Sequence, residues 1–599
     1  MPQQLKLDPG VRKFLQKGLE HHRAGRMREA EGCYLHSLKA DPRCPQALHL
    51  LGLLAQQAGE YLKSILLIEK ALALNPDDGD ALNSLAESYL GQKLLPQAVR
   101  CYQRLVEIRP QSAEAHHRLG KVRERQEDWE GAAASYRQAL SLQADSPDLY
   151  ASLARLECKQ GAFEEAVDAC RRALALAPHR PELYQQLGHA LTYTGNYGGA
   201  AQAYRQVLAL EPDSARAVYG LGYIFERQGD LAAAADAYRI ALKIDPDLAV
   251  AYFHLGITHH LQGDCAQALK CVEMMRRVEP DSAEARSFLG ILLLQQGNFS
   301  QGWSEYEYRW GTTYGLRHRR KFRKPLWKGE PLAGARILLH AEQGMGDTLQ
   351  FVRYVPLVAA RGGSAILEVQ PRLHRLLAKT PGAVEVISRG EALPAFDWQC
   401  PLLSLPLAFA TDLSTIPSPV TYVEPDPAEV EIWRERLGGN GLRVGLAWGG
   451  NAKHPHEHWR SIPLELLAPL TRMEGATFYS LQMGPPAARV AQLGVNVRLV
   501  DLQGEQKDFA DTAAIVSNLD LVISIDTSVA HLAGAMGKPV WVFLSKSPDW
   551  RWMLDREDTP WYPSARLYRQ SRLGNWAEVI SRVERDLTEL AAKTAACLK

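Results

Sequence analysis

The 599-residue chain has little of what marks secreted, membrane-spanning or polyanion-binding proteins. Its nine cysteines are scattered from Cys33 to Cys597 with no Cys-x-x-Cys pair. An odd, unclustered set excludes a disulfide framework and a zinc ribbon, and reads as buried thiols in a reducing compartment. No apolar run reaches the roughly 18 to 20 residues that a membrane span requires. Met1 to Gly10 does not lead from a basic start into an apolar run, as a secretory signal does. The formal charge is only +1, so composition supplies no general polyanion-binding surface. The expectation is a cytoplasmic protein with no transmembrane segment, no nucleic-acid partner and no resident cofactor. Hydrophobic residues make up 46%, which fits an ordered protein, and the length calls for two to four domains.

What is present first is a period. Pro42, Pro76, Pro110, Pro178, Pro212, Pro246 and Pro280 are 34 residues apart, with one gap of 68 in which Ala144 takes the expected place. One glycine recurs within most units, as at Gly52, Gly120 and Gly188, and a second follows seven residues later, as at Gly59, Gly195 and Gly229. The first lets two helices approach closely, and the second ends a helix in a conformation that favours glycine. The proline then stops the second helix. Each unit reads as a helical hairpin whose apolar face is too large to bury alone, so neighbours must stack.

Period and small-residue pattern resemble the tetratricopeptide repeat, about eight to nine copies over residues 9–310. The resemblance implies an α-solenoid whose concave groove binds an extended peptide or another protein. Tyr150, Tyr184, Tyr219, Tyr252 and Phe253, with His116 and His117, are the groove candidates; the alternative is that they pack between adjacent helices. The layout is similar to that of the O-linked N-acetylglucosamine transferases. The asparagine ladder of the animal enzymes is absent, with only Asn83 in such a place.

Beyond Gly297 the pattern passes into Trp303, Tyr306, Tyr308 and Trp310, which read as a capping repeat docked on the next domain. A linker over 311–335 carries a basic run from Arg317 to Lys324. Such a run can make a peripheral contact with an anionic membrane, or serve as a solvated linker that pairs with acidic neighbours. The second is preferred, because Phe322 is the only aromatic within it.

From Arg336 strands alternate with helices, which implies parallel sheets with right-handed crossovers. Strands are expected at 337–339, 365–369, 443–448, 477–482, 497–501, 521–525 and 540–544. Helices are expected at 348–360, 372–379, 509–517 and 528–536. Proline-rich stretches at 401–406 and 417–427 separate a first lobe, 336–430, from a second, 431–599. Together they suggest two Rossmann-like lobes with a cleft, in which ligands sit at the carboxyl ends of strands.

The most informative segment is 521–544. A buried strand ends at Asp526-Thr527-Ser528, and a helix opens with His531 on its first turn. Free backbone N–H groups, the positive end of the helix dipole and two hydroxyls make a diphosphate site. The plain alternative is an ordinary helix cap with His531 as a packed core residue. The segment resembles the nucleotide-sugar site of the lipopolysaccharide heptosyltransferases, glycosyltransferase family 9, with Ser528 where that family has glycine. The resemblance implies that Asp526, Thr527, Ser528 and His531 contact the donor. It further implies that Asp347, in the turn Gly344-Met345-Gly346-Asp347, is the catalytic base and that Gln350 helps position it. The glycines Gly344 and Gly346 allow backbone to approach a ligand, although a lone Gly-x-Gly is weak by itself and Asp347 also suits a helix cap. In the loop 448–463, Lys453 and Arg460 are cations that stabilise a departing diphosphate. Gln482 is a candidate nucleotide contact. His454, His456 and His458 alternate there, but no partner at fixed spacing supports a metal site.

Trp327, Gly329, Gly334, the 342–356 stretch and Trp550-Arg551-Trp552 look like a bacterial set of repeat-bearing glycosyltransferases. The expectation is a GT-B-like, metal-independent, inverting glycosyltransferase. It would take a nucleotide diphosphate-sugar donor and a protein or glycan acceptor recruited by the repeats. The first lobe, about 90 residues, is short for that fold, so part of the acceptor site falls to the repeats. The alternative is a scaffold whose enzyme-like half is degenerate.

Overall fold

The computed structural model describes residues 8–438, 441–450, 457–490, 498–502 and 504–597. The chain divides into two compact units, Met1–Asp230 and Leu231–Lys599.

The first unit is a succession of thirteen described helices, from Pro9–Arg23 to Ala215–Gln228. The link between the two helices of a hairpin passes through a left-handed residue every 34 positions: Gly25, Gly59, Lys93, Glu127, Gly161, Gly195 and Gly229 all have positive φ. Lys93 and Glu127 adopt the conformation although they carry side chains, so the stacked hairpins impose a turn that local preference disfavours. The inner glycines make room for rings: a Cβ on Gly120 would stand 2.5 Å from Cε1 of Tyr136. His116 and His117 are buried, and His117 Nε2 lies 3.0 Å from Ser152 Oγ. Tyr150 and Tyr184 pack against the core that includes Ala190 and Tyr204. His117 thus bridges adjacent helices, while Tyr150 and Tyr184 pack against the core and keep part of their surface exposed. Asn83 Oδ1 accepts from Arg118 at 2.8 Å.

The second unit begins with the helices Leu231–Ile244, Ala249–Leu261, Cys265–Val278, Ala283–Gln295 and Phe299–Tyr306. Trp303 donates its indole N–H to the carbonyl of Thr411 at 3.0 Å and meets Trp550 edge-on at 5.1 Å. Leu294, Phe299, Trp303 and Tyr306 share one buried core with the residues of the sheets. This shared core groups the last repeats with the α/β part, although the 34-residue period runs on to about residue 310. Tyr308 stays partly exposed and lies over Arg286. In the basic run, Arg320 pairs with the buried Glu368.

Two parallel sheets follow. The first contains β1 (Arg336–His340), β2 (Ser364–Val369), β3 (Ala383–Ser388) and β4 (Trp398–Pro401), in the order β3-β2-β1-β4. The second contains β5 (Leu442–Ala447), β6 (Ala476–Ser480), β7 (Leu521–Ile525), β8 (Val540–Leu544) and β9 (Ala565–Arg569), in the order β6-β5-β7-β8-β9. Every pairing is parallel. β3, β4 and β9 were not anticipated from the sequence. β3 is an edge strand with exposed residues, and β4 ends in a proline-rich stretch, so neither shows a buried apolar run. Of the strand expected at 497–501, the described part forms only an isolated bridge from Val500 to Tyr479. The single helix expected at 348–360 is Met345–Phe351, a 3-10 turn Val352–Tyr354 and Val355–Ala360. Pro356 lacks the N–H that would extend the hydrogen-bond ladder across the break. No described helix is long and apolar enough to cross a membrane.

Candidate functional site

The carboxyl ends of β7 and β8 open on a cavity of about 620 Å³. Asp526 follows β7 directly, and the helix Ser528–Ala535 starts beyond Thr527, whose side chain does not cap it. The Thr527 hydroxyl lies 3.0 Å from Ser524 Oγ instead. Asp526 lines the cavity, together with Arg460 and Asp549. The far wall comes from repeat helices, through Phe253, Ile257 and Phe288.

His531 is turned away from this opening. Its Nδ1 lies 2.8 Å from Tyr562 Oη, and its ring stacks on Trp552 with centroids 5.4 Å apart. Burial, then the charges of Arg551, Arg353 and Arg460, holds the imidazole well below its ordinary pKa. Its Nε2 stands 3.7 Å from Asp526 Oδ1. For Asp526, burial and the neighbouring Asp549 outweigh Arg460, the Trp552 indole and Arg551, and push the carboxyl up to about 6.

The two motifs singled out in the sequence meet here. The helix Met345–Phe351 packs on the helix Ser528–Ala535, with Gly346 directly against the His531 ring. Asp347 Oδ2 accepts from the backbone N–H of Gly344 at 2.7 Å, and Oδ1 accepts from Arg551. Burial raises the Asp347 carboxyl, while Arg551 opposes the shift. Gln350 Oε1 accepts from Arg551 Nε at 2.6 Å, and Asp549 Oδ1 accepts from Arg551 Nη1 at 2.8 Å. Arg551 thus ties together three groups, of which Asp347 and Gln350 were expected from the sequence as base and positioning residue. Its only sequence signal is a cation set between two tryptophans.

Arg353 was also missed. Its guanidinium donates to the carbonyls of Gln350, Pro417 and Trp561 and to the Tyr422 hydroxyl, at 2.6–3.1 Å. It adds positive charge behind His531.

Arg460 reaches the cavity but is engaged, its Nε donating to Glu457 Oε2 at 2.8 Å. Gln482 does not face the cavity. Its Oε1 accepts from the N–H groups of Trp448 and Gly449 at 2.9 and 2.8 Å, and its Nε2 donates to the carbonyls of Gly449 and Met483. It shapes the turn after β5. Asn451, Lys453, His454 and His456 lie outside the described residues. Among the described residues, no three His, Cys, Asp or Glu side chains gather as a metal site.

A tetratricopeptide repeat model matches residues 49–113, 117–181, 186–249 and 261–307. The N-terminal region is accordingly a tetratricopeptide α-solenoid, a class of array that mediates protein binding. Protein FlbA of Caulobacter vibrioides is 29% identical over 316 residues, 49% of this chain and 53% of that protein. The protein O-mannosyl-transferase TMTC1 of Mus musculus is 30% identical over 114 residues, 18% of this chain and 12% of that protein. The chain thus spans about half the length of the first relative and about an eighth of the second. Among solved structures, the Cut9–Hcn1 hetero-tetramer of APC/C covers 48% of this chain and 57% of its own, at 18% identity and a TM-score of 0.33.

Proposed function

We propose that the protein is a cytoplasmic glycosyltransferase that moves a sugar from a nucleotide diphosphate-sugar to a protein or glycan acceptor recruited by the repeats. The observation that carries this reading is Asp526, set at the carboxyl end of a parallel strand and the mouth of a helix, facing a cavity that the repeats wall on its other side. Ligands of open parallel sheets bind at that place.

In this reading the two sheets are the lobes of a GT-B-like pair. The diphosphate sits on the free N–H groups at Thr527 and Ser528, where the helix dipole favours an anion. Arg460 and Lys453 offset the charge that develops on the leaving group. Asp347 takes the proton of the acceptor hydroxyl, while Arg551 and the Gly344 N–H fix its rotamer as an orienting group fixes a base. One direct displacement inverts the anomeric centre and needs no metal. The mannosyl-transferase among the relatives contributes only the class of chemistry, because so little of it is matched.

A second reading is favoured by one observation. His531, Asp347 and Gln482 are all occupied by groups of the protein itself. That arrangement fits a scaffold whose enzyme-like half is kept as a fold.

Thermal-shift titration with a panel of nucleoside diphosphates and their sugars separates the two. A donor at about 100 times its Kd adds roughly 2.7 kcal/mol of stability. The enzyme reading expects one nucleotide class to shift the protein, and Asp526→Ala and Arg460→Ala to abolish the shift. Absence of any shift across the panel favours the scaffold.

A further inference from the structure

The cavity has two unlike sides. The carboxyl edge of the β5–β9 sheet presents Asp526, Asp549 and Arg460, and the repeat side presents Phe253, Phe288 and Tyr314. Among the described residues, three carboxylates, Glu284, Asp526 and Asp549, stand against one guanidinium in the lining. Two of the nearby guanidiniums have partners already: Arg460 bonds Glu457, and Arg551 serves both Asp347 and Asp549. Among the described residues, Asp526 has beside it the carboxylate of Asp549, the His531 ring, the Trp552 indole and the more distant arginines. Ser547 Oγ, also in the lining, is shielded from solvent and without a hydrogen-bond partner. At about 620 Å³ the space lies within the range of roughly 300–1,000 Å³ typical of binding sites.

Surplus negative charge beside aromatic faces attracts a cation. Carboxylates bind it through charge-assisted hydrogen bonds, and ring faces attract it through their quadrupoles. With the diphosphate on the helix mouth beside Arg460, the acidic and aromatic remainder of the lining is left to the acceptor.

We propose that the cavity takes a lysine or arginine side chain of a polypeptide, its cationic head against Asp526 and Asp549 and its methylene stem along Phe253, Phe288 and Tyr314. That side chain neighbours the hydroxyl that receives the sugar, and the acceptor is a basic protein segment rather than a glycan. The role as acceptor rests on the transfer reading; the binding does not.

The experiment titrates the full chain with dye-labelled, capped pentapeptides, read by fluorescence anisotropy. Three are used, with lysine, glutamine or glutamate between two serines. The lysine peptide is expected to bind at least about tenfold tighter than the glutamine peptide, with the glutamate peptide weakest, and the gap should narrow at high salt. Tyr314→Ala alters an exposed side chain, and Asp549→Asn keeps an oxygen that can accept from Arg551; circular dichroism checks that both variants are folded. Both should shrink the preference several-fold. Equal affinity for the three peptides, no binding of any, or an unchanged preference in both variants overturns the proposal. A donor-induced thermal shift without a peptide preference leaves sugar transfer standing and removes the cationic site. A peptide preference without any donor shift does the reverse.

Discussion

A Cβ placed on Gly346 would stand 2.6 Å from Cδ2 of His531. The ring has nowhere to go, because Tyr562 holds its Nδ1 and Trp552 covers its face. The glycine of the turn and the histidine of the strand-end motif are thus halves of one contact between two helices.

Gly346→Ala should therefore destabilise the protein by about 1–3 kcal/mol, the usual cost of overpacking a rigid site. Urea denaturation measures it. Gly198→Ala, in the first unit, is the comparison: nothing lies within 4 Å of the added carbon. It sits in a helix, so it should be neutral or stabilising by up to about 1 kcal/mol.

Arg551→Gln leaves the Asp347 carboxylate buried without its guanidinium. Removing one partner of a buried pair costs about 3–5 kcal/mol. Asp347→Asn should cost less, because Arg551 keeps Asp549 and Gln350. A double-mutant cycle read by chemical denaturation should show a coupling well above zero; additive losses would mean that the pair acts independently.

The pH dependence of Asp526 has a definite sign. Its carboxyl titrates near 6 in the folded protein against about 3.8 for the free group. A raised folded value means that the native state binds the proton more tightly, so this group's contribution falls as pH rises from about 4 to 6. Asp526→Asn should be more stable than the parent at pH 8, by about 1–3 kcal/mol, with the gap closing below pH 4. Tm profiles of the two proteins across that range check it. A functional carboxylate that lowers stability fits a site shaped for a ligand.

Gln482→Ala should lower stability by about 1–3 kcal/mol, because it strips two buried N–H groups of their acceptor. Gln482→Glu keeps the acceptors and should retain more. If Gln482 shapes the turn rather than touching a nucleotide, Gln482→Glu preserves the donor-induced thermal shift. Loss of the shift in a folded Gln482→Glu variant would restore the direct contact.

The repeats were legible because their period is local. Proline, paired glycines and alanines every 34 residues specify hairpin after hairpin with no distant information. The strands β1, β2, β5, β6, β7 and β8 were legible as short, largely buried apolar runs between turns. β9 and the edge strand β3 escaped because their residues are mixed, and β4 because it leads into prolines. In the site, Asp526, Thr527, Ser528 and His531 stood out as one motif at a strand end, and Asp347 as part of another. Trp550-Arg551-Trp552 stood out only as part of a resemblance, and the roles of Arg551 and Arg353 were not legible, since a single arginine among aromatics has no spacing to read.

The sequence by itself determined a helical repeat array followed by parallel α/β structure, and which loops lie at strand ends. Periodicity and the alternation of strand and helix are properties of neighbouring residues. Tertiary structure alone decided that Gly346 meets His531, that Arg551 joins Asp347 to Gln350, and that the last repeats share a core with the sheets and wall the cavity. Those relationships join residues far apart in the chain, 204 positions for Asp347 and Arg551. Packing and charge neutralisation select such pairs only once the chain has closed on itself, and no local pattern carries them.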